Sequence, residues 1–257
     1  MQLEFVRYEK RDHVGYVTIN RPEVMNALHP PANEELSRVW DDVASDPDVR
    51  VAILTGAGER AFSAGNDLKW TAQHGVPRMP KGGFGGLVAR DDLWKPLIAA
   101  VNGVALGGGL EIALACDVLI AAEHAKLGLP EPRVGLMAAA GGVHRLPRHV
   151  PLKVAMGMML TGRHITAGEA YRIGLVNEVV PAAELIATAE RWAREIAECS
   201  PLAVQASKQA ALQGLGRPLP EAMGAHYPAV QKLFSSEDAI EGPRAFAEKR
   251  KPVWKGT

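Results

Sequence analysis

Residues 96–120 constrain the fold of this chain more than any other stretch. Residues 96–101 form an apolar run of strand length, and Gly107-Gly108-Gly109 forces a turn. A helical pattern follows to Cys116, and Val118-Leu119-Ile120 is apolar again. Strand, glycine turn, helix and strand in so short a space predict a layered α/β core. Ligands of such cores bind where turns meet helix N-termini. Three successive glycines cost backbone entropy, so the turn demands positive φ or close backbone approach. A helix starting there presents unpaired N–H groups and the positive end of its dipole, which suits a developing oxyanion. Alone, the triple glycine is equally the mark of a turn that packs helix on sheet.

The flanking sequence extends this pattern. Val14–Ile19 is β-branched and ends at Asn20-Arg21-Pro22, which predicts a strand. Pro30 and Pro31 open a predicted helix to about Val43, with Leu36, Val39, Trp40 and Val43 at helical spacing. Residues 49–54 read as a buried strand, and the Gly- and Pro-rich residues 71–86 as a mobile loop. From about Gly141 helical patterns dominate: 141–160, 166–173, 181–199, 201–213, 217–234 and 236–249. The expectation is an α/β core over residues 1–195 and a helical, oligomerising region over 196–257.

Charge and cysteine content exclude several function classes. Twenty-nine basic residues balance 29 acidic ones, so no global field draws in nucleic acid or a membrane surface. The two cysteines, Cys116 and Cys199, make neither a disulfide framework nor a zinc site. The eight histidines lack metal-ligand spacing, so no metal is expected. Residues 1–20 are charged, without an apolar signal region, and no run is long enough to span a bilayer. The expected compartment is the cytoplasm.

Two acids stand out because each follows a marked turn. Glu111 closes Gly107-Gly108-Gly109-Leu110-Glu111, and Glu131 lies in Leu129-Pro130-Glu131-Pro132. Two carboxyls that converge on one pocket can divide acid and base work, one giving a proton while the other activates water. A second turn, Ala61-Phe62-Ser63-Ala64-Gly65-Asn66-Asp67-Leu68, also follows an apolar strand and precedes a helix. With the triple glycine it suggests a two-donor oxyanion hole, the second donor being the N–H of Ala64. No phosphate-cradling P-loop, dinucleotide fingerprint or Gly-x-Ser-x-Gly elbow competes with this reading.

At these residues the whole chain resembles the crotonase (enoyl-CoA hydratase/isomerase) superfamily. That resemblance implies a ClpP-like spiral core of ββα units with a helical C-terminal region. It implies a CoA thioester substrate whose carbonyl sits between the N–H groups of Ala64 and Gly108, and no metal or redox cofactor. Glu111 and Glu131 would be the catalytic pair of a hydratase, which of them is acid and which base staying open. The resemblance places Met25, Ala27, Leu28, Ala64, Asn66, Asp67, Leu68, Gly107, Pro130, Phe246 and Lys249 against the acyl-CoA, the last two in a tail often lent by a neighbouring subunit. It implies homotrimers or homohexamers built as dimers of trimers.

One departure bears on the substrate. Where many hydratases read Gly-x-x-Pro-Gly-x-Gly-Gly, this chain reads Gly135-Leu136-Met137-Ala138-Ala139-Ala140-Gly141-Gly142. The run from His226 to Val230 and that from Ser236 to Arg250 are similar to the carnitinyl-CoA dehydratase branch, although that branch has an aromatic residue where Asn66 stands. A trimethylammonium acyl group would want an aromatic wall, for which Trp70 and Trp94 are the candidates. An isomerase using one carboxylate, and a non-catalytic CoA- or RNA-binding relative, are the competing readings.

Overall fold

A computed structural model describes residues 1–75 and 78–257. The chain opens with a hairpin in which β1 (Val6–Arg11) and β2 (Val14–Ile19) pair antiparallel, Arg11 opposite Val14. Its two-residue loop, Asp12-His13, has φ of 49° and 65°, the left-handed geometry that matches strand twist. Sequence pattern does not announce β1, because Arg7, Glu9, Lys10 and Arg11 interrupt it. Those charges suit an edge strand, where they discourage further pairing.

The helix α1 (Pro30–Ser45) follows, with prolines at its first positions and Ala32, Leu36, Val39, Trp40 and Val43 buried along one stripe. The chain then winds three times in the same way. First come β3 (Val51–Gly56), β4 (Ala61–Ser63) and α2 (Leu68–His74). Next come β5 (Leu97–Val101), β6 (Val104–Leu106) and α3 (Gly108–Ala113). Then β7 (Val118–Ala122) and β8 (Lys126–Gly128) lead into a 3-10 turn, Glu131–Val134. This is the expected spiral of ββα units. After α4 (Gly142–His149) and α5 (Leu152–Thr161) come β9 (His164–Thr166), α6 (Ala167–Arg172), β10 (Glu178–Val180) and α7 (Leu185–Ala197).

The longer strands form a six-stranded sheet in the order β1-β2-β3-β5-β7-β10, parallel apart from the first pair. Both faces are covered, so its strands read as continuous apolar runs with hidden alternation. Ala52, Leu54, Ala99 and Val101 face the main core with α1, while Val51, Ile53, Ile98 and Ile120 pack under Leu185, Ala189 and Ala193 of α7. Truncating one of these large side chains, such as Ile98, to alanine would cost about 2–5 kcal/mol.

The three-residue strands make a second sheet, β4-β6-β8-β9, in which β4, β6 and β8 are parallel. Their C-terminal ends therefore lie side by side. The residues that follow them, Ala64–Asn66, Gly107-Gly108 and Leu129–Glu131, are delivered to one place.

The helical region is more broken than its apolar pattern predicts. Pro151 separates α4 from α5 within 141–160. After α8 (Pro201–Gly214), the pattern over 217–234 divides into α9 (Leu219–Gly224) and α10 (Pro228–Phe234), with Pro228 starting the second. The last helix is α11 (Asp238–Ala247). The boundary expected at 195/196 falls inside the last turn of α7. Of the loop expected over 71–86, residues 76 and 77 lie outside the described residues. Its end is built into the protein: Gly85 donates its N–H to Asn33 Oδ1 (2.6 Å), and Trp40 Nε1 donates to Gly85 O (2.9 Å).

Candidate active site

The triple glycine has a separate physical reason at each position. Gly107 has φ +54°, and a β-carbon on it would lie 3.2 Å from Glu131 Oε1. A β-carbon on Gly108 would collide with the ring of Phe84, and one on Gly109 with the carbonyl oxygen of Ser63 in β4. The turn is therefore squeezed between the neighbouring strand, an aromatic wall and a carboxyl group. The N–H of Gly107 is held by Gly128 O at 3.0 Å, whereas that of Gly108 finds no acceptor among the described residues. Gly108 opens α3, so its free amide is the one a carbonyl oxygen can reach.

Accounting for the amides of the neighbouring turn corrects one expectation. Ala64 donates its N–H to Met25 O at 2.9 Å, so it is not available as an oxyanion donor. The N–H of Gly65 goes to Ser63 Oγ (3.1 Å) and that of Asp67 to Leu28 O (2.9 Å). Only the N–H of Asn66 is left without an acceptor among the described residues. The chain turns at Gly65, with φ +87°, and a β-carbon there would stand 2.7 Å from the nitrogen of Gly108. The free amides of Asn66 and Gly108 thus flank one close contact between the two turns.

The two glutamates face the same cavity. It encloses about 1130 Å³ and is lined by Ala64, Asn66, Gly108, Glu111, Pro130 and Glu131 among others. Glu111 lies one helical turn beyond Gly108, is 3% exposed, and accepts the N–H of Gly142 on Oε1 at 2.8 Å. Burial pushes its carboxyl up to about 7, with the nearby charge of Glu131 adding to the rise and the amides of Gly142 and Ala140 opposing it. Burial also raises Glu131, whose Oε2 is enclosed without a hydrogen-bond partner among the described residues.

Other expected contacts divide. Leu68, Gly107 and Pro130 line the cavity with Asn66. Met25, Ala27, Leu28 and Asp67 do not; they brace it. Leu28 and Asn66 bridge as parallel strands, and Asp67 caps α2 through Trp70 N (3.1 Å) while pairing with Arg21 (3.0 Å). Buried Asn26 ties this segment to the corner before β4, donating to Ala57 O and Ala61 O. Phe246 and Lys249 are not at the cavity of their own chain. Phe246 is 87% exposed on α11, so it is no core residue either. Trp70 stacks on His74, and neither it nor Trp94 lines the cavity.

Sequence reading missed Phe84, Met79 and Val88 in the wall, and the face of α4 made by Gly141, His144, Arg145 and Arg148. The i, i+3, i+4, i+7 spacing of that face was the available signal. Among the described residues no cluster of three or more His, Cys, Asp or Glu could hold a metal, and no helix is long and apolar enough to cross a membrane.

Known proteins match this chain along nearly their whole length. The family model for enoyl-CoA hydratase/isomerase matches residues 9–257. (E)-Benzylidenesuccinyl-CoA hydratase of Thauera aromatica is 45% identical, covering 98% of this chain and 99% of its own. Carnitinyl-CoA dehydratase of Salmonella arizonae is 44% identical over the same shares. The crystal structure of enoyl-CoA hydratase from Mycobacterium tuberculosis superposes with a TM-score of 0.93 at 39% identity, covering 98% of this chain and 99% of that one. With two free amides, two carboxyls and one cavity laid out on this spiral, the chain belongs to the enoyl-CoA hydratase/isomerase (crotonase) family.

Proposed function

We propose that this enzyme adds water reversibly across the α,β double bond of a 2-enoyl-CoA, using Glu111 and Glu131 as its acid–base pair. The thioester oxygen would accept the N–H groups of Asn66 and Gly108. They hold the enolate-like charge that builds as water attacks the β-carbon, and each such donor is worth about 2.7–4 kcal/mol. One carboxylate takes a proton from the water as its oxygen bonds to the β-carbon. The other, protonated, gives its proton to the α-carbon. The pair therefore carries one proton before and after each turnover, and neither metal nor redox cofactor enters. A buried and a half-buried carboxyl on one cavity, both raised above the ordinary carboxylate value, are the observation that carries this reading, because a pair so placed favours holding one proton between them. An isomerase needs one carboxylate, and would leave the enclosed Oε2 of Glu131 without a task.

The cavity also bears on the acyl group. Arg133, Arg145 and Arg148 line it, and Phe84 is the phenyl or indole ring there, with both candidate tryptophans elsewhere. A trimethylammonium group would meet positive charge and little aromatic wall. We favour a neutral or anionic acyl group, a class that includes the substrate named for the Thauera relative, over a carnitine-like one.

Initial rates on a panel of acyl-CoAs, followed as loss of enoyl absorbance, test both points. Crotonyl-CoA should be hydrated, and crotonobetainyl-CoA more slowly. Shift of a 3-enoyl-CoA double bond without hydration of any 2-enoyl-CoA would install the isomerase instead, and RNA retention at physiological salt with no turnover the binding relative.

The exposed Leu215, Met223, Phe234, Ile240 and Phe246 on and beside α8–α11 support a trimer or hexamer through residues 196–257, with Phe246 and Lys249 lent to a neighbour's CoA. A monomeric mass by light scattering at micromolar concentration would remove that assignment.

A further inference from the structure

We infer that Arg145 is a positioning residue for Glu111, its guanidinium fixing the cavity wall to α4 and setting a positive charge at the turn that anchors the Glu111 carboxyl. The start of α4 is built around this arrangement. Gly141, with φ +103°, leaves room for Arg145 Nη1 to pack directly over its Cα, where a side chain would collide. The next residue, Gly142, gives its N–H to Glu111 Oε1 (2.8 Å), and a β-carbon on it would lie 3.0 Å from that oxygen. Two successive glycines thus bring a guanidinium and a carboxyl onto one turn of backbone.

The other arm of Arg145 donates from Nη2 to Val88 O at 2.7 Å. Val88 belongs to the segment that carries Phe84, and both line the cavity. One side chain therefore joins the wall over Gly108 to α4, whose first turn anchors the Glu111 carboxyl. Arg145 makes no salt bridge among the described residues, although it is half-buried, where an unpaired charge is costly.

The charges around Glu111 come from each neighbouring element. Glu131, on the turn after β8, opposes its ionisation, and Arg145 of α4 favours it. His144 and Arg148 share the cavity face of α4, Arg133 and His164 also line the cavity, and the buried thiol of Cys116 acts on Arg145. Arg145 is the cation that favours ionisation of Glu111, adding to the larger effect of the Gly142 and Ala140 amides in holding the carboxyl below where burial and Glu131 alone would drive it.

The catalytic meaning of this inference rests on the hydratase reading; its test does not. Carboxyl-¹³C glutamate NMR, assigned with Glu111→Gln, reads the ionisation of Glu111 in the wild type, Arg145→Met and Arg145→Lys. The midpoint should rise by more than about 0.3 pH unit in Arg145→Met and stay within about 0.3 unit of wild type in Arg145→Lys. The high-pH limb of kcat/KM should move the same way. Should Arg145→Met not fold, Arg145→Gln, which can still donate to Val88, carries the same expectation. An unmoved midpoint in the neutral variant, or an equal rise in Arg145→Lys, would overturn the inference. Wild-type inactivity on every enoyl-CoA would sink the hydratase reading and leave the titration result standing.

Discussion

Gly142 donates its backbone N–H to Oε1 of Glu111 at 2.8 Å, so this carboxyl is anchored at the first turn of α4 rather than in water. Its environment still favours the protonated form, from the ordinary 4.5 up to about 7, and that has a consequence for stability. The folded state binds the Glu111 proton more tightly than the unfolded chain does. Stability therefore falls as pH rises from about 4.5 through about 7, and the shift corresponds to roughly 3 kcal/mol once the buried group is fully ionised. Glu111→Gln removes that cost. Thermal unfolding should show the variant more stable than wild type at pH 8.5 and equal to it at pH 4.5. A lower Tm at pH 8.5 would contradict the assignment.

The same substitution should nearly abolish hydration. Acid–base groups of this kind contribute about 10²–10⁴-fold, and Glu131→Gln should cost a similar factor in kcat with KM little changed. Crotonyl-CoA kinetics decide it. A Glu131→Gln enzyme within about threefold of wild type would leave one acid, not two, in the chemistry.

Backbone amides need backbone chemistry. An α-hydroxy acid at position 66 replaces the free N–H by an ester oxygen and should lower kcat by about 10²–10³ without unfolding the protein. The same replacement at position 64 deletes the bond to Met25 O, and should appear as lost stability, about 1 kcal/mol, more than as lost chemistry. Reversed outcomes would return the donor role to Ala64.

How far the sequence disclosed these features depends on the length scale of each. The long strands β2, β3, β5 and β7 and the helices α1, α7 and α8 show as apolar runs or stripes, because burial extends over a whole element. The strands β4, β6, β8, β9 and β10 have three residues each, too few for a period to register. Yet three of them set the site, since their parallel ends deliver Asn66, Gly108 and Glu131. Glu111 and Glu131 were legible from the turns before them. The choice between Ala64 and Asn66 was not, because it rests on which amide the Met25 carbonyl takes across some forty residues of chain. Phe246 was legible as apolar but not as exposed, since helical spacing does not say whether the face it defines meets its own core.

A hydratase that shares one proton between Glu111 and Glu131, as proposed, should show a two-sided pH dependence. Hydration needs one carboxylate and one carboxylic acid, so the pair loses activity when it gains a second proton and when it gives up the first. Both groups lie above the ordinary carboxylate range, and their repulsion separates the two steps. The plot of kcat/KM for crotonyl-CoA against pH should therefore be bell-shaped, with its high-pH limb near or above pH 7. Glu131→Gln removes the like charge beside Glu111 and should move the Glu111 titration, read by carboxyl-¹³C NMR, to lower pH. A rate that keeps rising through pH 9, with no descending limb, would mean that the proton given to the α-carbon does not come from this pair.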